Sequence, residues 1–174
     1  MRVLLVGLGV VGQSLVELLA NRSDELLNRY GLSIRLLMVA DRTGAVANPK
    51  GLKPMEVLEA KKGAGIMSLE TPIKESSPLH LIEELESDLL IDATPTNIHD
   101  GEPSNSLIRA AIRRRLDVVT VSKGALALYL PALKELAEYR GVMLRFSGTV
   151  GGGMPVIEFG RECGRSDRVE KIAG

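Results

Sequence analysis

The amino-acid sequence predicts an α/β fold built on a doubly wound parallel sheet, and three observations carry that expectation. Short β-branched or leucine-rich runs alternate with helical patterns along the chain. Those runs are apolar throughout, as in parallel strands covered on both faces. A glycine-rich turn, VGLGVVG, follows the first run and opens the first helical stretch. Right-handed crossovers then wind helices onto both faces of one sheet.

Residues 2–6 (RVLLV) read as the first strand. An amphipathic helix over about 11–29 follows, with Val11, Leu15, Leu18, Leu19, Leu26 and Leu27 as its apolar stripe and Gly31 as its stop. Residues 33–40 (SIRLLMVA) form the second strand, and 41–53, carrying Gly, Asn, Pro and Lys, read as a loop. A short helix lies near 54–61. Ser77–Pro78 then pairs an N-cap with a first-turn proline, starting a helix that runs to about 86 and delivers the strand 88–92 (DLLID). A helix over about 102–115, the strand 117–121 (DVVTV), a helical stretch 124–140 interrupted by Pro131, and the strand 142–146 (VMLRF) complete the order, with Gly141 as a C-cap. No internal repeat or low-complexity segment is present.

The 174 residues fit one domain, or one domain and part of another. Lys plus Arg number 22 and Asp plus Glu number 22, so nothing global suggests a nucleic-acid or membrane partner. Trp is absent and aromatics are 3%, which argues against base-stacking platforms. The basic cluster Arg113–Arg114–Arg115 ends a helix, where positive charge complements the dipole. One cysteine, Cys163, excludes an internal disulfide and a multi-cysteine metal site. His80 and His99 are the two histidines, and isolated as they are they make no transition-metal site. With neither a signal h-region nor a membrane-length apolar run, a cytoplasmic location is expected.

Gly7, Gly9 and Gly12 form G-x-G-x-x-G at a strand-to-helix junction, with Leu8, Val10 and Val11 between them. Gly7 permits the tight turn, Gly9 lets the backbone approach a pyrophosphate, and Gly12 lets the helix pack close to the sheet. The helix N-terminus adds free N–H groups and partial positive charge. This is the pattern of a Rossmann-type dinucleotide site. Asp41 ends the second strand, where an acidic residue binds the adenosine ribose, and Arg42 follows it. Asp41 favours NAD, whereas Arg42 suits the 2′-phosphate of NADP, with Lys50 and Lys53 as helpers. The balance leans to NADP or dual use.

Ligands lie across the carboxyl ends of the strands in such a sheet. After 88–92 come Ala93, Thr94 and Pro95, placed beside the nicotinamide ribose; after 117–121 come Ser122, Lys123 and Gly124; after 142–146 comes a second glycine-rich turn, SGTVGGGMP. Lys123 has a plain reading, a solvated lysine in the first turn of a helix. Its functional reading is an ammonium near the nicotinamide that hydrogen-bonds a substrate carbonyl and stabilises charge as hydride moves.

VGLGVVG, DATPTNIHDGEPSNSLIRAAI, VVTVSKGALAL and FSGTVGGGMPVI, in that order and closed by VEKIAG, resemble homoserine dehydrogenase over essentially all 174 residues. The resemblance implies reversible reduction of L-aspartate 4-semialdehyde to L-homoserine with NAD(P)H, on the route to threonine, methionine and isoleucine. It implies that Lys123 contacts cofactor and substrate, that Gly7 to Gly12 and Thr94 contact the cofactor, and that the full-length protein is a homodimer. It further implies a monovalent cation, sodium, held by main-chain carbonyls at Ser147, Val150, Gly152 and Met154. Two departures stand out: Ser147 where a glutamate is frequent, and Ser122 where an asparagine commonly precedes the lysine.

By the same resemblance, residues 1–148 are the NAD(P)-binding domain and 149–174 begin a truncated substrate and dimerisation domain. The 174-residue chain is therefore expected to bind NAD(P) and to turn over no semialdehyde by itself. The competing readings are a non-catalytic dinucleotide-binding module that senses cofactor or docks to a partner chain, and another semialdehyde or imine reductase. Against the last stands the absence of a nucleophilic cysteine in a strand-to-helix turn.

Overall fold

The computed structural model describes residues 1–150 together with residues 154, 159, 160 and 162. Cys163, Gly152 and most of the expected second domain, 149–174, lie outside the described residues. The elements are β1 (Arg2–Val6), α1 (Val10–Tyr30), β2 (Arg35–Asp41), β3 (Gly44–Ala47), α2 (Pro54–Lys62), β4 (Ile73–Glu75), α3 (Pro78–Glu84), β5 (Leu89–Asp92), α4 (Ser104–Arg113), β6 (Asp117–Thr120), α5 (Lys123–Arg140) and β7 (Leu144–Arg145).

They form one sheet of seven strands in the order β4-β3-β2-β1-β5-β6-β7. The run β2-β1-β5-β6-β7 is parallel, as the apolar strands predicted. The chain moves outward from β1 to β2, then crosses back to β5 on the other side, so β1 and β5 flank the switch point of the winding.

Two apolar layers cover this sheet. On one face Leu4 and Val6 of β1 pack with Leu81 and Ile82 of α3, Leu107, Ile108 and Ile112 of α4, and Leu133 of α5. On the other, Val3 and Leu5 pack with Val16 of α1, Val57 and Leu58 of α2, and Ile66. Alternate residues of β1 therefore feed opposite cores, which is why the strand carries no polar face. The β1–β2 register slips between Val3 and Leu4, leaving Leu37 as the extra residue of β2.

Four expectations are corrected. The stretch read as a loop, 41–53, contains β3, which pairs antiparallel with β2 and with β4, so the sheet is mixed at one edge. The α1 stripe is rotated: Val16 is fully buried while Val11, Leu18 and Leu27 are exposed, and the helix bends at Arg22 (φ −127°, ψ 18°). Pro131 does not interrupt α5, because the proline and Ala127, four residues earlier, both lie on the solvent side. Lys50 and Lys53 lie beside the start of β2, where the Leu52 amide donates to the Leu36 carbonyl at 2.7 Å, far along the strand from Asp41. The expected ends hold: Gly31 and Gly141 take left-handed conformations (φ 65° and 69°), and the Ser77 hydroxyl accepts from the Leu79 amide.

Candidate cofactor-binding site

The loop after β1 is shaped by what its glycines touch. Gly7 has φ +100°, and a Cβ there would lie 2.3 Å from the Ala93 carbonyl oxygen. A Cβ on Gly12 would lie 1.9 Å from the Gly7 carbonyl oxygen, so α1 can start only with a bare backbone at this point. Gly9 differs: nothing lies within 4 Å of its Cβ position. It is the N-cap of α1 without a side-chain cap, and the first turn carries no acidic residue. The result is an open helix N-terminus whose amides face a vacant approach, the cradle a phosphate group requires. Leu8 is buried in the core and Val10 is exposed, so the loop offers backbone donors rather than side-chain ones.

The neighbouring lips are stitched to this loop. The Gly7 amide donates to the Ala40 carbonyl at 2.9 Å, and the Ala93 amide donates to the Val6 carbonyl at 2.7 Å. Thr96 Oγ1 accepts from the Lys123 amide at 3.4 Å, and a Cβ on Gly148 would sit 3.0 Å from Val121 Cγ1. Gly7, Asp41, Thr94, Lys123 and Ser147 thus share one edge of the sheet. Lys123, at the end of β6, stands two strands from the glycine loop, about 10 Å at the usual strand spacing. It is exposed as the first residue of α5 and lines a cavity of about 480 Å³ with Leu126, Leu130, Phe146, Thr149 and Val150.

Asp41 accepts three hydrogen bonds from within the chain. Its side chain is 7% exposed; Oδ1 accepts from the Thr43 amide (2.8 Å) and hydroxyl (2.6 Å), and Oδ2 accepts from Lys61 Nζ of α2. Burial pushes this carboxyl up, but the Lys61 ammonium and the Thr43 donors together outweigh burial and hold it below the usual carboxylate value. Arg42 beside it is exposed.

Thr94 is turned inward. Its amide and hydroxyl both donate to Oδ1 of Asp92, at 3.1 and 2.6 Å. His80 lies on α3 between Glu75 and Glu84, at 3.7 and 3.2 Å. His99 is exposed, its amide donating to Asn97 Oδ1 at 3.0 Å.

The family model described as homoserine dehydrogenase, NAD binding domain, matches residues 7–147. The chain belongs to the homoserine dehydrogenase family. A homoserine dehydrogenase of Methanocaldococcus jannaschii is 30% identical over 175 residues, covering 100% of this chain and 52% of its own length. An NAD(+)-dependent homoserine dehydrogenase of Pseudomonas canavaninivorans is 34% identical over 162 residues, covering 91% and 46%. Among solved structures, a hyperthermophilic archaeal homoserine dehydrogenase mutant in complex with NADPH superposes with a TM-score of 0.78 at 25% identity, over 92% of this chain and 48% of that one. The chain spans about half the length of the curated homoserine dehydrogenases it matches. The matched stretch begins at Gly7 and takes in the glycine cradle, and the uncapped, open N-terminus of α1 fits the phosphates of a dinucleotide.

The cation set that the family resemblance implied is described only in part. Ser147–Thr149 form a 3-10 turn in which the Ser147 carbonyl already accepts from the Val150 amide at 3.4 Å. Gly152 lies outside the described residues, and Met154 is exposed.

Sequence reasoning missed four residues that shape the site: Lys61, Asp92, Ser104 and Thr120. Asp92 and Thr120 were visible as polar breaks at the ends of DLLID and DVVTV, and that was the available signal. Lys61 and Ser104 gave none, because each acts on a partner more than ten residues away.

Proposed function

We propose that this chain is the cofactor half of an oxidoreductase that reversibly reduces L-aspartate 4-semialdehyde to L-homoserine with NAD(P)H. Family membership supports the reaction class, and the observation that carries the assignment to residues is the convergence of the glycine loop and Lys123 on one carboxyl edge. The amides of the α1 N-terminus bind the pyrophosphate, and Gly9 gives it a path to the backbone. Lys123 donates a hydrogen bond to the substrate carbonyl and stabilises the oxyanion that develops there. When bound, the nicotinamide supplies or accepts the hydride.

The cofactor preference is for NADPH. Asp41, its charge offset by Lys61 and three hydrogen bonds already accepted from Thr43 and Lys61, repels a 2′-phosphate only weakly and keeps little accepting capacity for a ribose hydroxyl, while Arg42 and Lys61 bring two cations to that corner. The 174 residues bind NAD(P)H and do not oxidise homoserine on their own, in keeping with their half-length match. Titration of NADPH and NADH by nicotinamide fluorescence, with a homoserine oxidation assay on the same preparation, tests both parts. Absence of binding removes the cofactor assignment; turnover by this polypeptide removes the division of labour.

A further inference from the structure

Asp92 ends β5 with 0% exposure and accepts four hydrogen bonds, none from a basic side chain. Oδ1 takes the Thr94 amide and hydroxyl, from the loop after β5. Oδ2 takes the Thr120 hydroxyl of β6 at 2.8 Å and the hydroxyl of Ser104, the first residue of α4. Burying a carboxylate among neutral donors is costly compared with an apolar strand end. Fully satisfied, such a cluster fixes the groups around it in one arrangement.

What it fixes is the pair of loops on either side of it. Thr120 Oγ1, while donating to Asp92, accepts from the Ser122 amide at 3.0 Å, which sets the turn that presents Lys123. Next along, the Lys123 amide meets Thr96 of the β5 loop. The path from carboxylate to lysine is therefore Asp92, Thr120, Ser122, Lys123, and the other branch runs directly to Thr94.

We propose that Asp92 is a positioning residue: through Thr120 and Thr94 it holds the loops after β5 and β6 in register and so shapes the nicotinamide end of the site without touching the cofactor. This rests on reading the Lys123 side of the edge as that end.

The test compares each reduced dinucleotide with the same molecule lacking its nicotinamide: NADPH with 2′-phospho-ADP-ribose, and NADH with ADP-ribose. Affinities are measured on the 174-residue chain and on the variants Asp92→Asn, Thr120→Val and Thr120→Ser. Asp92→Asn and Thr120→Val are expected to weaken the dinucleotide about tenfold, the scale of a lost hydrogen bond to a charged group, and to leave the truncated ligand within about twofold. Thr120→Ser, which keeps the hydroxyl, is expected to bind like the unaltered chain. Should Asp92→Asn not fold, the Thr120 pair decides alone, since valine keeps the β-branched shape. Parallel loss of both ligands, or unchanged dinucleotide affinity in Thr120→Val, overturns the proposal. An unaltered chain that binds the dinucleotide no better than its truncated form instead removes the nicotinamide reading beneath it, and this inference with it.

Discussion

Lys61 of α2 donates from Nζ to Oδ2 of Asp41 at the carboxyl end of β2, joining residues 20 apart in the chain. The lysine side chain is 27% exposed, so the pair is largely shielded from water and weakly screened. The charge of the acidic side chain at this strand end is thereby offset by its own neighbour. Arg42 beside Asp41 is exposed to solvent.

Asp41→Ala is expected to release the Lys61 ammonium and raise NADPH affinity, while NADH affinity changes little. Lys61→Ala and Arg42→Ala should each weaken NADPH about tenfold relative to NADH, the scale of a charge-assisted hydrogen bond. Paired fluorescence titrations read this directly. Equal losses for the two cofactors would remove the 2′-phosphate argument.

The same pair makes an acid-stability prediction. The Asp41 carboxyl is held below its ordinary value in the folded chain. Its contribution is therefore complete above the unfolded value of about 3.9 and is lost as pH falls through the lower folded one. Asp88, lowered by the guanidinium and amide of Arg2, acts in the same direction but is more exposed and contributes less. Asp41→Asn should lower Tm at neutral pH and flatten the fall of Tm below about pH 4. A Tm profile parallel to that of the unaltered chain would show that the pair stores no such stability.

The glycine loop gives a contrasting pair. Gly12→Ala drives a Cβ to 1.9 Å from a backbone oxygen that cannot yield, and it should cost about 3 kcal/mol or more. Gly9→Ala places its methyl in open space at an ordinary extended φ of −77°, and stability should stay within about 0.5 kcal/mol. With the pyrophosphate bound at the N-terminus of α1 as proposed, that methyl stands in its path, so NAD(P)H affinity should fall at least about tenfold. Thermal melts separate the two variants; undiminished affinity in Gly9→Ala would place the phosphates elsewhere.

How much of this was legible depended on whether the information was local. The glycine turn, the Ser77 cap and the left-handed Gly31 and Gly141 are set by backbone needs of single residues, and all are where the sequence put them. β3 was not legible: GAVA is a short run of small residues amid turn formers, and it is a strand because β2 and β4 pair with it on both sides. The roles of Asp41, Asp92 and Thr120 were half-legible. Their placement at strand ends was plain, but what they bond was decided by Lys61, Ser104 and Ser122, which the fold brings to them.

The first turn of α5 gives the last prediction. A Cβ on Gly124 would lie 1.9 Å from the Asn97 carbonyl oxygen, and Gly101 (φ +74°) approaches Ala125 in the same way. The β5 loop therefore lies flat across the start of α5, and two glycines make that approach possible. Gly124→Ala should push the loop away, break the Lys123–Thr96 contact and lower Tm by about 6 °C or more, at 2–4 °C per kcal/mol for a chain of this size. Lys123→Met, at an exposed position, should leave Tm nearly unchanged and weaken NADPH without weakening 2′-phospho-ADP-ribose. The two variants thus divide the lip between support and chemistry: a Gly124→Ala chain that melts like the unaltered one would mean that the loop does not rest on α5, and that Lys123 is not held by it.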